Sequence, residues 1–327
     1  MVSKRNKINL KANEGSILML VLWILAFLVL LSLGLGSTTS LDQRLVSYQR
    51  DRLMALYLAK AGYFRALVEL EQDPTPQVDS YLDPWAYNLE AFQRATLGEG
   101  SFTVSYLLPG EDGSEGVVYG VVDEDRKVNL NTASQAVLLR LPGMTDEMAD
   151  SVLDWRAEDR GLGERLGEVK DRPFEVLEEL LLVEGMTDEV FQALQPFITV
   201  YTDGKVNLNT APREVLKALG MGEGLVNKLL YFRRELDDIR GTGDGQSFTG
   251  LGSAEQQLNA FDALTPQEAA QLTNLIAQNR LKVTSGVFRI HSTGAVRDGK
   301  IIRSVEGIVQ RGTGPSSSVT LLSWHEY

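Results

Sequence analysis

The chain has 327 residues, enough for one large or two medium-sized domains, and 43% of them are apolar, enough for a core. Its 44 acidic residues outnumber its 32 Lys and Arg residues, and the formal net charge of −12 argues against a nucleic-acid partner, because phosphates require a basic surface. With no cysteine, only two histidines and no visible nucleophile–base pair, the sequence predicts a protein that is not an enzyme.

A basic leader at residues 1–15 precedes a segment without charged residues at 16–41. The uncharged segment is longer than the 7–15-residue core of a secretory signal and matches the roughly 20 residues that a helix needs to cross a bilayer. We therefore predict a transmembrane segment over residues 16–40, with the basic leader in the cytoplasm and the bulk of the chain outside. The alternatives are a plain anchor and a cleaved secretory signal with its small-residue site at 34–36.

A helical pattern continues beyond the apolar segment and predicts one long helix over residues 16–72. Apolar and aromatic residues recur at three- and four-residue steps or their multiples, at Leu41, Leu45, Tyr48, Leu56, Tyr63, Leu67 and Leu70. The helix should end at Asp73-Pro74, because the residue before a proline avoids the helical region.

Strand-like segments lie on both sides of a helical block. Residues 101–108 and 117–122 predict one hairpin with an irregular loop. Residues 287–293, 301–309 and 319–324 predict further strands, with a turn at Asp298-Gly299. The sequence thus predicts an α+β fold in which a long N-terminal helix packs on an antiparallel sheet and the helical block is an insertion.

The helical block, residues 126–283, contains an internal repeat. The segment KVNLNTA occurs at residues 127–133 and again at 205–211, each time before a helical run. We interpret each copy as a short extended segment that leads into a helix, with four candidate N-cap residues: Asn131, Thr132, Asn209 and Thr210. Pro212 fits a first helical turn. The glycine-rich residues 241–253 predict a flexible surface loop.

Residues 141–145 and 219–224 look like the turns of helix-hairpin-helix motifs, which in DNA-binding proteins offer backbone N–H groups to a phosphate. Here Asp146, Glu147 and Glu223 lie in or beside the turns and should repel phosphate. A structural role is therefore favoured, and a membrane-anchored DNA-binding protein of DNA uptake is the alternative.

The carboxylates Glu158, Asp159 and Glu164 lie close together in one loop. Several hard oxygens at this density can bind Ca²⁺, and a solvated acidic loop is the competing interpretation. Arg156 and Arg160 lie among the carboxylates and weaken the prediction of calcium as a cofactor.

Taken in order, these features resemble a family of minor pseudopilins of type II secretion, general secretion pathway protein K. The resemblance spans nearly the whole chain. It rests on the leader ending at Gly15-Ser16, LYLAKAG at 56–62, Asp123-Glu124 before the first KVNLNTA, DWR at 154–156, NLNTAP at 207–212 and LSW at 322–324.

The resemblance implies a pilin-like α+β fold with a large helical insertion of the helix-hairpin-helix (SAM-like) type. Residues 1–15 would be a prepilin leader and residues 16–40 the membrane part of the long helix. The pilin-like domain would comprise residues 41–125 and the C-terminal strands at 284–327, with the insertion at 126–283. A minor pilin of a related type IV pilus system stays an alternative.

The resemblance also implies how the protein is processed and where it acts. A prepilin peptidase would cut between Gly15 and Ser16, and Ser16 would be N-methylated. The protein would lie in the inner membrane with its C-terminal domain in the periplasm, at the tip of a short pseudopilus. Two other minor pseudopilins and the major pseudopilin would be its partners, and secreted cargo or the outer-membrane channel its contacts.

The position of Leu20 departs from most pilins, which carry Glu as the fifth mature residue. In a filament that Glu is thought to meet the charged N-terminus of a neighbouring subunit, and a buried carboxylate without such a partner is costly. A tip subunit has no subunit above it, so the apolar Leu20 agrees with the family, whose members also lack the Glu.

Overall fold

A computed structural model describes residues 14–109, 115–157, 172–233, 245–312 and 319–327, with only the backbone at 14–15, 33–41, 108–109 and 115. The chain divides into two compact units, residues 1–54 and residues 55–327.

The first helix is long, and the later helices are short. The described α-helices are α1 (Glu14–Glu71), α2 (Leu89–Phe92), α3 (Gln135–Leu138), α4 (Asp146–Arg156), α5 (Asp188–Leu194), α6 (Arg213–Ala218), α7 (Glu223–Arg233), α8 (Leu251–Phe261) and α9 (Pro266–Ala277). Two 3₁₀ helices cover Glu124–Arg126 and Leu177–Leu182. The bounds of α1 lie within two residues of the predicted 16–72.

The described strands are β1 (Ala95–Leu97), β2 (Gly100–Val104), β3 (Tyr106–Pro109), β4 (Glu115–Val118), β5 (Val122–Asp123), β6 (Val128–Asn129), β7 (Ile198–Thr199), β8 (Val206–Asn207), β9 (Leu281–Lys282), β10 (Val287–Val296), β11 (Ile301–Gln310) and β12 (Thr320–Glu326). The main sheet has the order β1-β2-β10-β11-β12, with β5 also paired to β10, and all of its pairs are antiparallel. The predicted α+β class is confirmed.

The C-terminal part of α1 packs on this sheet at very short range. Glycines make the approach possible: a Cβ at Gly294 of β10 would lie 2.0 Å from the backbone oxygen of Ala55. A Cβ at Gly62 of α1 would lie 2.2 Å from Ser292 Oγ and 2.7 Å from the Phe102 ring. Gly62, which the sequence presents as a mildly unfavourable helical residue, is therefore required by the packing.

The predicted hairpin at 101–122 is divided between two sheets, which corrects the sequence-based picture. β2 joins the main sheet beside β10, whereas β3 and β4 pair with each other as a separate two-stranded ribbon. The chain changes sheets at Ser105, which donates its N–H to the carbonyl of His291 instead of extending the ladder with β4.

The helical elements between β6 and β9 have their own core, in which Leu130, Leu138, Leu208 and Leu216 are completely buried. Both KVNLNTA copies begin as short strands: β6 pairs in parallel with β7, and β8 with β9. Each copy is thus extended, as predicted, and its partner strand is the last element of the same repeat. We refer to residues 127–199 as the first repeat and residues 205–283 as the second repeat.

Two local predictions in the repeats are wrong. The N-cap residues are Ser134 for α3 and Pro212 for α6, and neither makes a side-chain cap. The predicted caps Asn131, Thr132, Asn209 and Thr210 lie earlier in the chain, where three of them bond to more distant segments. The glycine-rich stretch also differs from the predicted loop, because Phe248 is completely buried and α8 begins at Leu251; residues 241–244 lie outside the described residues.

Candidate functional site: the two repeats and their junction with the sheet

The two repeats share a scaffold that extends well beyond the KVNLNTA motif. At the end of α4, the Arg156 guanidinium donates to the backbone carbonyls of Leu130 and Ala133. At the end of α7, Arg233 donates to the carbonyls of Leu208 (2.6 Å) and Ala211 (2.8 Å), the corresponding residues of the second motif. Each arginine thus fastens the last helix of a hairpin to the segment that precedes its first helix.

The second asparagine of each motif fastens a more distant segment in the same way. Asn131 accepts the backbone N–H of Phe174 at 2.8 Å and donates to the Phe174 carbonyl at 2.9 Å. Asn209 makes the same exchange with Phe248, at 2.7 and 3.1 Å. These side chains act as strand-like partners for a single residue, which is why they do not cap helices.

The aromatic residues at these points stack in both repeats. Trp155 lies on Phe174 with a centroid distance of 6.1 Å, and Phe232 lies on Phe248 at 4.5 Å. Trp155 and Phe232 each directly precede the arginine that fastens the hairpin. The shared Asn, Arg and stacked aromatic pair show that the whole of each repeat is one structural unit used twice.

The first asparagine of the motif distinguishes the repeats. In the first repeat, Asn129 Nδ2 donates to the carbonyl of Thr202. In the second, Asn207 Nδ2 lies 3.1 Å from the Asp79 carbonyl, 3.1 Å from Asp123 Oδ2 and 2.8 Å from Ser285 Oγ. The second repeat is therefore tied directly to the segments that flank the sheet.

Asp123 is the centre of this junction. Its Oδ2 also accepts from Thr210 Oγ1 at 2.5 Å and from Ser285 Oγ at 2.6 Å, and its Oδ1 accepts from the backbone N–H of Asp125. The donors come from the second repeat, from the segment before β10 and from its own 3₁₀ turn. One buried carboxylate thus joins three parts of the second unit.

Burial raises the pKa of two carboxyl groups at the junction, whereas neighbouring cations lower that of a third. Burial, reinforced by the nearby Asp125, raises the pKa of Asp123 to about 6. Burial also raises the pKa of Asp79 to about 7, even though Arg311 forms an ion pair with it at 2.6 Å. For Glu124, the cations Arg289 and Lys127 outweigh burial and lower the pKa.

The helices that follow the turns in both repeats begin with acidic residues. α4 begins with Asp146 and Glu147 in its first turn, and α5 with Asp188 and Glu189. α7 and α9 likewise have Glu223 and Glu268 in their first turns. Negative charge at a helix N-terminus stabilises the helix and repels a phosphate, so these turns favour a structural role.

The backbone donors of the turns also have partners within the chain. Thr145 and Thr187 accept the N–H groups of Met148 and Val190. Gln271 Oε1 accepts the N–H of Gly222 at 3.0 Å. These amides at or near helix N-termini are thus satisfied within the chain, which leaves fewer backbone donors for a phosphate.

The proposed calcium ligands Glu158, Asp159 and Glu164 lie outside the described residues. Within the described ranges, no group of three or more His, Asp or Glu side chains could hold a metal ion. The calcium site stays a prediction.

The predicted processing residues lie at the start of the first unit. Gly15 and Ser16 are in the first turn of α1, and Leu20 is 60% exposed. Large apolar side chains are exposed along α1 between Ile17 and Leu31. No helix in the described part of the chain is long and apolar enough to cross a membrane. The cleavage site, the span at 16–40 and the role of Leu20 stay predictions.

Three comparisons with known proteins bear on this architecture. Residues 123–199 match the family described as helix-hairpin-helix motif, which covers the first repeat and the 3₁₀ turn before it. No curated protein matches the sequence. A chain of the crystal structure of the GspK-GspI-GspJ complex from the enterotoxigenic Escherichia coli type 2 secretion system is similar, with 18% identity and a TM-score of 0.60.

That likeness covers 88% of this chain and 99% of the other, so it includes the sheet as well as the helical insertion. The chain therefore has a GspK-like fold. The second repeat, which the family match does not reach, carries the same Asn, Arg and aromatic contacts as the first.

Proposed function

We propose that this protein is a minor pseudopilin of a type II secretion system, acts at the tip of the pseudopilus and is not an enzyme. The observation that carries the proposal is the GspK-like fold, matched over 99% of a chain from a minor pseudopilin complex. A pilin-like sheet with a long helix and an inserted pair of hairpin repeats is a combination that a stand-alone DNA-binding module does not need.

The first unit supplies assembly and anchoring in this proposal. The uncharged segment at 16–41 holds the subunit in the inner membrane, with the second unit in the periplasm. A prepilin peptidase cleaves between Gly15 and Ser16, and Ser16 is then N-methylated. Leu20 occupies the position at which most pilins carry a glutamate. That carboxylate would need a subunit above it, so an apolar residue there suits a terminal position.

The partners in this proposal are two other minor pseudopilins, since the similar chain comes from a complex of three such proteins. The major pseudopilin lies below them, and secreted cargo or the outer-membrane channel is met at the tip. A type IV pilus minor pilin would use the same fold, and identification of the co-purifying chains distinguishes the two systems.

Co-purification tests the proposal directly. The full chain, expressed with the other pseudopilins of its own system, should be recovered with two minor pseudopilins in a 1:1:1 complex. A Gly15→Leu variant should keep its leader, migrate more slowly on a gel and fail to support secretion. Unchanged mobility with normal secretion would contradict the proposal, and so would recovery of the chain with duplex DNA in a salt-sensitive complex.

A further inference from the structure

Arg126 is the most deeply buried arginine of the described residues, with only 7% of its surface exposed. It is the last residue of the 3₁₀ helix Glu124–Arg126. Its Nε is enclosed without a hydrogen-bond partner, and within the described ranges no carbonyl or carboxylate pairs with the rest of its guanidinium group. A buried cation without an acceptor is costly, so its retention needs an explanation.

Two other arginines near the junction have the acceptors that Arg126 lacks. Arg289 Nε lies 2.7 Å from Glu124 Oε1. Arg311 lies 2.6 Å from Asp79. Both of these arginines are more exposed than Arg126. The chain thus supplies carboxylates to arginines that water can still reach, and it leaves the most enclosed arginine without one.

The three carboxylates that directly precede this arginine pair with other groups. Asp123 accepts from the second repeat, as described above. Glu124 pairs with Lys127 at 2.8 Å. Asp125 pairs with Lys282 at 2.7 Å. None of the three carboxylates neutralises the arginine at contact distance, so the arginine is available to an acceptor from another molecule.

The Tyr81 ring forms a fixed aromatic wall beside the Arg126 guanidinium. The guanidinium carbon lies 5.9 Å from the ring centroid. The Tyr81 hydroxyl donates to the carbonyl of Thr210 in the second repeat at 2.7 Å, which holds the ring in place. Contact with an aromatic face uses the π surface of a guanidinium and leaves its in-plane N–H groups free to donate. Tyr81 is partly exposed, so this wall reaches the surface.

The chemistry of the site selects a carboxylate as its ligand. The planar guanidinium fork matches the two oxygens of a carboxylate, which can accept two parallel charge-assisted hydrogen bonds. The acidic residues next to Arg126 disfavour a doubly charged phosphate more than a singly charged carboxylate. The small exposed surface of Arg126 also admits only a small group.

We propose that Arg126 and Tyr81 form a binding site for a carboxylate from another molecule, either a free small carboxylate or an Asp or Glu side chain of a partner protein. A bound carboxylate neutralises the buried cation next to the contact between Tyr81 and Thr210, and so strengthens the attachment of the second repeat. The inference goes beyond the proposed function, and its first test does not depend on that function.

Thermal unfolding of the full chain in detergent, with sodium acetate as the probe, tests the site. Acetate at about 0.1 M should raise the unfolding midpoint of the natural chain by about 2 °C relative to sodium chloride of equal ionic strength, because a ligand stabilises the state that binds it. Arg126→Met should abolish this rise, and sodium phosphate should give a smaller rise than acetate. Arg172→Met, which replaces an exposed arginine of the first repeat, is the control and should keep the full rise.

The same variants separate a binding role from a structural one. In chloride, Arg126→Met should leave the midpoint unchanged or higher, because it removes a buried charge that has no acceptor. Arg289→Met should lower the midpoint by about 5 °C or more, because it takes a cation from Glu124 and Glu306. The proposal is overturned if acetate gives no rise in the natural chain, if the rise persists in Arg126→Met or is equalled by phosphate, or if Arg126→Met is as destabilising as Arg289→Met.

Co-purification distinguishes the two sources of the carboxylate. The natural chain and Arg126→Met are each expressed with the other pseudopilins of the same system. A loss of partner recovery by about tenfold in the variant identifies a partner's side chain as the ligand, and unchanged recovery identifies a free carboxylate. If the natural chain recovers no minor pseudopilin, the proposed function is wrong, and the acetate measurement still decides whether the site exists.

Discussion

The first and second repeats use one scaffold for two different surroundings. Both fasten their hairpins with an arginine and both fix a distant aromatic residue with an asparagine. The described surface of the first repeat is strongly acidic, and its exposed carboxylates are Asp146, Glu147, Asp150, Asp154, Glu175, Glu178, Glu184, Asp188 and Glu189. Within the second repeat, the exposed described carboxylates are Glu223, Glu255 and Asp262, and the bases Lys217 and Lys228 lie nearby.

The two repeats keep the same internal contacts although their exposed surfaces differ in charge. The second repeat bonds to Asp123 of β5 through Asn207 and Thr210, whereas the corresponding Asn129 of the first repeat donates its side-chain N–H to the carbonyl of Thr202, between the two repeats. The second repeat is therefore the structural attachment of the insertion, and the first presents the acidic surface.

The largest expected loss of stability follows from replacing the arginine that fastens each hairpin. Comparing the two losses tests whether both repeats depend equally on that arginine. Arg156→Ala and Arg233→Ala each remove two charge-assisted hydrogen bonds to backbone carbonyls, and each should lower the free energy of unfolding by about 3 kcal/mol. Urea unfolding monitored by tryptophan fluorescence measures both. Losses that differ by more than about 2 kcal/mol would break the equivalence, and Arg172→Ala, an exposed arginine of the first repeat, is the control expected to change little.

Replacing the second asparagine of each motif should destabilise the two repeats by different amounts. Asn209 is only 1% exposed, whereas Asn131 is partly accessible to solvent. Asn209→Ala leaves the Phe248 backbone groups without access to water and should cost about 3 kcal/mol; Asn131→Ala should cost about 1–2 kcal/mol. The same unfolding measurement decides, and a larger loss at Asn131 would contradict this burial argument.

The junction of the second repeat should depend on pH. The folded pKa of Asp123, about 6, lies above the ordinary value of 3.8, so its stabilising contribution is complete below pH 4 and is lost as the pH rises through 6. Asp79, with a pKa of about 7, acts in the same direction. The free energy of unfolding should therefore fall between about pH 4 and about pH 7.

Asp123→Asn isolates the contribution of that carboxyl, which is on the order of 3 kcal/mol between pH 4 and pH 6. The variant should have a flatter profile than the natural chain, while the part due to Asp79 remains. Glu124, whose pKa is lowered, contributes to pH dependence only at more acidic values and does not interfere. An identical slope in the variant would contradict the assignment to Asp123.

The smallest effect on stability is expected at the acidic surface of the first repeat. Neutralising the hairpin turns with Asp146→Asn, Glu147→Gln, Asp188→Asn and Glu189→Gln should change the free energy of unfolding by about 1 kcal/mol or less. If charge is what keeps these hairpins from nucleic acid, this variant should gain weak, salt-sensitive binding to duplex DNA in an anisotropy titration, and the natural chain should show none. Binding by the natural chain would contradict the structural interpretation.

The sequence predicted the elements whose signals are local. The end of α1 follows from Asp73-Pro74, and the three C-terminal strands and the turn at Asp298-Gly299 lie where alternation and turn residues indicate them. The repeat was visible only as KVNLNTA, because the residues that complete it are single arginines and aromatics far along the chain. The recurrence of Trp-Arg at 155–156 and Phe-Arg at 232–233 is the signal that could have revealed them.

The sequence of α1 contains two apolar stripes, and periodicity alone does not show which of them is buried. The exposed apolar residues Tyr57, Phe64 and Val68 recur at helical spacing in the sequence, but the buried stripe with Tyr63 and Leu70 has the same helical periodicity. Only the packing of α1 on the sheet shows which apolar stripe is buried and which is left exposed. The same packing explains Gly62, whose role depends on Phe102 and Ser292, both far from it along the chain.

The amino-acid sequence by itself determined the long helix, the α+β class, the tandem motif and the acidic balance, because propensity, periodicity and charge act over short distances along the chain. Tertiary structure alone decided the junction at Asp123, the division of the first hairpin between two sheets and the roles of Asn131 and Asn209. Those depend on which distant donors and acceptors meet in a buried environment, where an unpaired polar group is costly and local preferences yield to the pairing that satisfies it.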